Sequence, residues 1–188
     1  MSTEVLERAV ASTTKVLQNV SKDKLGDPTP CESWTVKDVV NHILVGSYWF
    51  AAVVEHGDTP ADFDGNQDLA GGDISATFAD GSAKAIDAFG APGALEKTVK
   101  LPWGEMPAGM FINIAAQDIF VHGWDVARAI GDTSGLDEDL AEQFIGGAKA
   151  LPEAFRGPDG QAPFGPVADA PDTAPASDRL AAALGRQI

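Results

Sequence analysis

The sequence predicts an all-α fold, an antiparallel helix bundle with short additions. Three observations carry this reading. Apolar residues recur at helical spacing over long stretches, and those stretches open on capping residues and close on glycine or proline. Only one short segment, around residues 98–101, has an extended character. Long helices joined by loops bury their apolar faces by packing side by side, which makes a bundle the expected architecture.

Residues 3–20 place Val5, Leu6, Ala9, Val10, Thr13, Val16, Leu17 and Val20 on one side of a first helix. Gly26-Asp27-Pro28-Thr29-Pro30 stops any continuation. Thr35-Val36-Lys37-Asp38 has the form of a capping box, opening a second helix that runs to about Glu55 with His42 in its second turn. Residues 57–72 form a Gly/Asp/Pro-rich loop. Asp73 caps a third helix whose apolar side holds Phe78, Ala79, Ala85, Ile86 and Phe89, with Gly81 as its weak point. Gly90-Ala91-Pro92-Gly93 ends it, and Thr98-Val99-Lys100-Leu101 then reads as a short strand or a crossover.

A fourth helix is expected from Ala108 to Ile130, stopped by Gly131. A fifth spans Asp137 to Leu151. Residues 152–176, rich in proline and glycine, should lie as coil over the bundle. Ser177 is expected to cap a short terminal helix, Asp178 to Leu184, within residues 177–186. With 188 residues and no internal repeat, the whole of 1–188 reads as one domain.

Composition narrows the function. Hydrophobic content of 44% and charged content of 22% are ordinary for a globular protein, whereas a net charge of −15 is not. It disfavours nucleic acid, which rewards clustered Lys and Arg, and anionic membrane surfaces. The N-terminal residues show no basic-then-apolar signal pattern, and no run approaches the ~20 apolar residues of a membrane span. The lone Cys31 supplies neither an internal disulfide nor a cysteine cage, and with no local base or cation it reads as structural. A cytoplasmic location is the expectation.

The chemistry gathers around two of the three histidines. His42 stands on the second helix. On the fourth, Asp118, His122 and Asp125 share one face at spacings of four and three. Imidazole and carboxylate suit divalent transition metals, and a histidine from a neighbouring helix can complete a set begun by an aspartate and a histidine one turn apart. The spacing leaves a second reading open, a buried histidine hydrogen-bonded to an aspartate. Asp125 could replace Asp118 as ligand, orient His122 from behind, or pair with Arg128; Asp118 is the preferred ligand and Asp125 the orienting group. His56, near the end of its helix, lies too far from His42 to share an ion and reads as surface. Of the four tryptophans, read as core or pocket wall, Trp34 and Trp103 are the candidate pocket-wall residues.

The segment from Pro28 through Cys31, Trp34, Thr35 and Asp38 to His42 resembles the first signature of actinobacterial metal-binding proteins related to mycothiol-dependent maleylpyruvate isomerase. Asp118 to Gly131 is similar to their second. Leu101-Pro102-Trp103-Gly104 and the tail from Phe164-Gly165-Pro166 to Gly185-Arg186 are similar to their closing segments. The resemblance implies a DinB-like four-helix bundle holding a divalent metal, zinc foremost and nickel as the other option, through His42, Asp118 and His122. The isomerase has Glu at the acid position, one methylene longer than Asp118. It also has a further C-terminal domain contributing to its substrate site, where this chain has its proline-rich segment and short helix. The implied activity is a thiol-dependent transferase or isomerase with mycothiol as cofactor. A metal-dependent hydrolase using Asp125 as base, and a metal- or small-molecule-binding module without turnover, are the alternatives. The partners expected are a small-molecule substrate or thiol, with a homodimer open to it as to many of the family; no exposed apolar stripe selects that assembly.

Overall fold

The computed structural model describes residues 2–158 and 161–188; Met1 and residues 159 and 160 of the proline-rich coil lie outside the described residues. Four long helices form the body: α1 (Glu4–Leu17), α2 (Val36–His56), α3 (Ile74–Gly90) and α4 (Ala108–Ile130). Each lies against two others, α1 against α3 and α4, and α2 against α3 and α4. The all-α, DinB-like reading therefore holds, with one small two-stranded addition.

Local sequence explains the ends. Thr35 and Asp38 form the expected capping box at α2, and Asp73 accepts the Ala76 N–H at α3. Gly57 and Gly131, both left-handed, end α2 and α4. The first helix stops at Leu17, earlier than the apolar spacing through Val20 suggests, because Asn19 and Val20 turn back onto the carbonyls of Val16 and Leu17. Gly81 has a packing role: a Cβ there would come within 3.1 Å of the Ser47 Cβ and the Tyr48 ring, so it lets α3 approach α2 closely.

The extended segment is a strand. β1 (Thr98–Leu101) pairs antiparallel with β2 (Gly104–Pro107), Thr98 facing Pro107 and Leu101 facing Gly104. Lys100 N–H donates to the Gly57 carbonyl and Ala108 N–H to that of Lys97, tying the hairpin to the end of α2 and the start of α4.

The core is aromatic and aliphatic. Phe78, Phe89, Phe111, Phe120, Trp124, Ile43, Leu44, Ile119 and Leu6 are fully buried. Burial of such side chains contributes roughly 1.5–3 kcal/mol each and dominates the folding energy. Thr13 is buried among them with its hydroxyl donating to the Ile119 carbonyl at 3.0 Å, so α1 is pinned to α4.

Two further helices pack outside. α5 (Glu138–Lys149), capped by Asp137, lies against α1 and α6 (Ala176–Ala183), and α6 also touches α4. Ser177 does not cap α6. The helix begins at Ala176, two residues before the expected start, and the Ser177 amide and hydroxyl both donate to the Glu138 carboxylate at 2.8 and 2.7 Å, joining α6 to α5. The helix ends at Ala183, short of the span reading to 186, because the chain turns at Gly185. Between α5 and α6 the coil includes a 3-10 turn, Glu153–Phe155. Arg156 anchors it by donating to the carbonyls of Ala148, Gly165 and Ala183.

Candidate metal centre

The turn before α2 is built by Thr29. Its hydroxyl donates to the Trp34 carbonyl at 2.8 Å and accepts the Cys31 N–H at 3.1 Å, while Trp34 N–H closes onto the Cys31 carbonyl. This fold-back lays the Trp34 indole over the start of α2. The capping box fixes that helix start, which places His42 in the second turn. Beside it, Asn41 accepts the Leu69 and Ala70 N–H groups and donates to the Gln67 carbonyl, fastening the loop before α3 to α2.

Across from His42, α4 presents Asp118 and His122 one turn apart. His42 Nε2 lies 3.4 Å from Oδ1 and 3.3 Å from Oδ2 of Asp118, and His122 Nε2 lies 3.7 Å from Asp118 Oδ1. One ligand atom from each of the three residues lies within 4.8 Å of the others. The two imidazoles meet edge to face at 4.5 Å, and Trp34 contacts both, at 4.9 Å from His42 and stacked at 5.6 Å on His122.

Behind His122, Asp125 is fully buried. Its Oδ2 accepts from His122 Nδ1 at 3.0 Å, because a carboxylate can only accept. The same carboxylate is gripped by Arg186, with Nη2 at 3.0 Å from Oδ2 and Nε at 3.3 Å from Oδ1. Pairing of Asp125 with Arg128 does not occur. Arg128 instead lies over the Trp124 ring at 5.6 Å and reaches Asp178 at 4.0 Å, since Asp125 points into the bundle and Arg128 out of it.

The charges follow from this packing. Burial alone would push the His42 imidazole down, but the adjoining Asp118 carboxylate outweighs it and holds His42 above its ordinary value. Burial would raise Asp118; the positive His42, with His122 and Arg186, brings it instead to about 2. His122 sits below its ordinary value through burial and the neighbouring His42 charge, against the opposing pull of Asp125. Asp125, which burial would raise, is held low by Arg186 and by the His122 hydrogen bond.

The donor types suit a divalent cation, and the two separations from Asp118 match one. Ligands about 2.0–2.2 Å from a tetrahedral ion stand roughly 3.2–3.6 Å apart, close to the two Asp118–histidine separations. The His122 Nε2 lone pair is freed by the Nδ1 hydrogen bond, the usual arrangement behind a ligating histidine. His42 and Asp118 keep 36% and 28% side-chain exposure, so the cluster is reachable from solvent on that side.

Of the other sequence candidates, Trp103 is half exposed and makes its ring contact with Trp49 at 6.2 Å, and His56 is exposed at the end of α2. Cys31 is half-buried within electrostatic reach of Arg186, a cation that no nearby residue in the sequence announces. Asn41 and Arg186 are the residues missed. Arg186 lies some sixty positions from Asp125, and only the similarity of the Gly185-Arg186 tail to the family's closing segment marked it. Among the described residues no helix is long and apolar enough to cross a membrane.

The model of the family described as the mycothiol maleylpyruvate isomerase N-terminal domain matches residues 6–127, from α1 through the second histidine. Two proteins of Mycobacterium tuberculosis, from strains CDC 1551 / Oshkosh and ATCC 25618 / H37Rv, are each 37% identical over 188 residues. The alignment covers 97% of this chain and 96% of each relative, and both relatives are described as uncharacterized. No solved structure matches the chain. The chain belongs to the family of the mycothiol maleylpyruvate isomerase N-terminal domain.

Proposed function

We propose that this protein binds a divalent metal ion through His42, Asp118 and His122 and uses it to handle a low-molecular-weight thiol, in a transferase or isomerase reaction. The observation that carries the reading is the convergence of three ligand atoms from two helices, on a side open to solvent, in a chain whose family is described by a mycothiol-dependent enzyme. Zinc suits the two imidazoles and one carboxylate best, with nickel next. When bound, the ion would supply positive charge that lowers the pKa of an incoming thiol, keeping thiolate available at neutral pH.

The chain's own residues supply orientation. Asp118 balances the charge between the two imidazoles. Trp34 forms an apolar wall against both rings and limits water on that side. Asp125 holds His122 with Nε2 directed to the cluster. The hydrolase alternative has less support, because its expected base, Asp125, is fully buried with both oxygens engaged by His122 and Arg186.

Metal analysis of the purified protein and of the His42→Ala and His122→Ala variants tests the ligand assignment, with thermal melts to check folding. Stoichiometric zinc or nickel in the parent and its loss from both folded variants is the expected result; full occupancy in either variant removes that residue from the set. Calorimetric titration of the loaded protein with mycothiol, using glutathione as a comparison, tests the thiol reading. Absence of heat with either thiol, in a protein that holds its metal, would leave the non-catalytic binding module as the better description.

A further inference from the structure

The tail reaches the candidate metal centre from outside the four-helix bundle, and it is anchored along the stretch that leads to Arg186. The Trp124 indole N–H donates to Asp178 of α6 at 2.8 Å, one residue before Asp125. At the other end, Gly185 takes φ of 93° and passes so close to Gly165 that a Cβ there would stand 2.4 Å from its Cα. Arg186 N–H bonds to the Ala181 carbonyl, and the side chain turns inward until the residue is only 8% exposed.

A guanidinium is costly to bury unless a well-placed anion meets it. Asp125 meets it, with two N–H groups on its two oxygens, so the plane of the carboxylate is fixed rather than free to rotate. That plane sets where Oδ2 lies, and Oδ2 is the atom that receives His122 Nδ1–H. An imidazole held this way carries its proton on Nδ1 and presents the Nε2 lone pair to Asp118 and His42.

We infer that Arg186 is a positioning residue of the metal centre, fixing the Asp125 carboxylate and through it the tautomer and ring orientation of His122. This rests on the metal reading above. The C-terminal segment, beyond the stretch that the family model matches, thereby forms part of the site.

The test uses the full chain and the variants Arg186→Met, Arg186→Lys, Asp125→Asn and the double variant Asp125→Asn/Arg186→Met. Zinc affinity is measured by competition with a chromophoric chelator, coordination geometry by the visible spectrum of the cobalt-loaded protein, and the His122 tautomer by nitrogen-15 NMR of the metal-free protein. Arg186→Met is expected to weaken zinc about 10- to 100-fold, to shift the cobalt bands, and to mix the His122 tautomers. Arg186→Lys, which keeps the charge but not the two-pronged grip, should fall between. The double variant should bind zinc no more weakly than Asp125→Asn alone, since Arg186 acts through that carboxylate.

Parental affinity and an unchanged tautomer in Arg186→Met overturn the inference, as does a double variant showing the product of the two single losses. Should Arg186→Met fail to fold, Arg186→Lys decides: parental affinity and parental cobalt bands overturn the inference. If the parent itself binds no zinc or cobalt, the metal reading fails, and the tautomer in metal-free Arg186→Met still decides what Arg186 does to His122.

Discussion

Trp34 stacks on His122 with ring centroids 5.6 Å apart and planes inclined at 30°, although 88 positions separate the two residues. The contact joins the turn before α2 to the middle of α4, and the same indole leans on His42 at 4.9 Å. Its emission should therefore report on the cluster. Cobalt added to the metal-free protein is expected to quench tryptophan fluorescence, and Trp34→Phe should remove most of that quench while retaining metal. Trp34→Ala should weaken metal several-fold by loosening both rings. Quenching of the same depth in Trp34→Phe would show that the reporter is another tryptophan.

Asp118 lies between the two imidazoles, so changing its charge without its shape is informative. Asp118→Asn should lower zinc affinity by at least 10-fold, since a neutral amide is a poor ligand for a divalent ion. The helix should survive, because the side chain is partly exposed and its contacts are with the two imidazoles. Equilibrium dialysis with circular dichroism on the same samples separates the effects. Asp125→Asn binding less zinc than Asp118→Asn would exchange their roles.

Asp137 offers a pH test remote from the cluster. It caps α5 by accepting the Leu140 N–H and is held by two bonds from Arg8, at 2.8 and 3.0 Å. Partial burial would raise its carboxyl, but Arg8, the Leu140 amide and the Lys15 charge together hold it below its ordinary value. A group whose folded pKa is depressed stabilises above its unfolded value, about 3.9, and that contribution is lost as pH falls through the folded value. Asp137→Ala should then cost about 1–2 kcal/mol near pH 7, combining a cap with a partly exposed ion pair. The difference from the parent should shrink steadily below pH 4. Urea melts from pH 2.5 to 7 measure it, and a gap independent of pH would mean that the ion pair contributes nothing.

Gly185 is the hinge that delivers Arg186. Alanine there must both adopt a left-handed φ and displace the Gly165 backbone, which should cost on the order of 1–3 kcal/mol. Zinc affinity is expected to fall with it, since Arg186 is carried off Asp125. Calorimetric melting and chelator competition on Gly185→Ala check both parts; lost stability with parental zinc affinity would separate the tail from the site.

The helices were legible because their signals are local. The capping box at Thr35, the Asp73 cap and the stop at Gly131 each act within a few residues, so the sequence locates α2 to α5 to within a residue or two at most ends. Apart from the end of α1, which a local turn sets, the errors fall where a distant partner overrides a local preference. Ser177 has the chemistry of a cap, yet it is spent on Glu138, 39 positions earlier. Gly81 looks like a flaw in α3 until Ser47 and Tyr48 of α2 occupy the space a side chain would need.

The site divides the same way. Sequence alone determined that His42 stands on one helix and that Asp118, His122 and Asp125 share a face of another, because a helical repeat fixes which residues align. Only the tertiary structure decided that the two faces meet within 3.3 Å, that Asp125 turns inward rather than toward Arg128, and that Arg186 closes the far side. Those outcomes depend on how helices cross and where a tail docks, set by packing and by the cost of burying a charge unpaired. No short-range pattern encodes them.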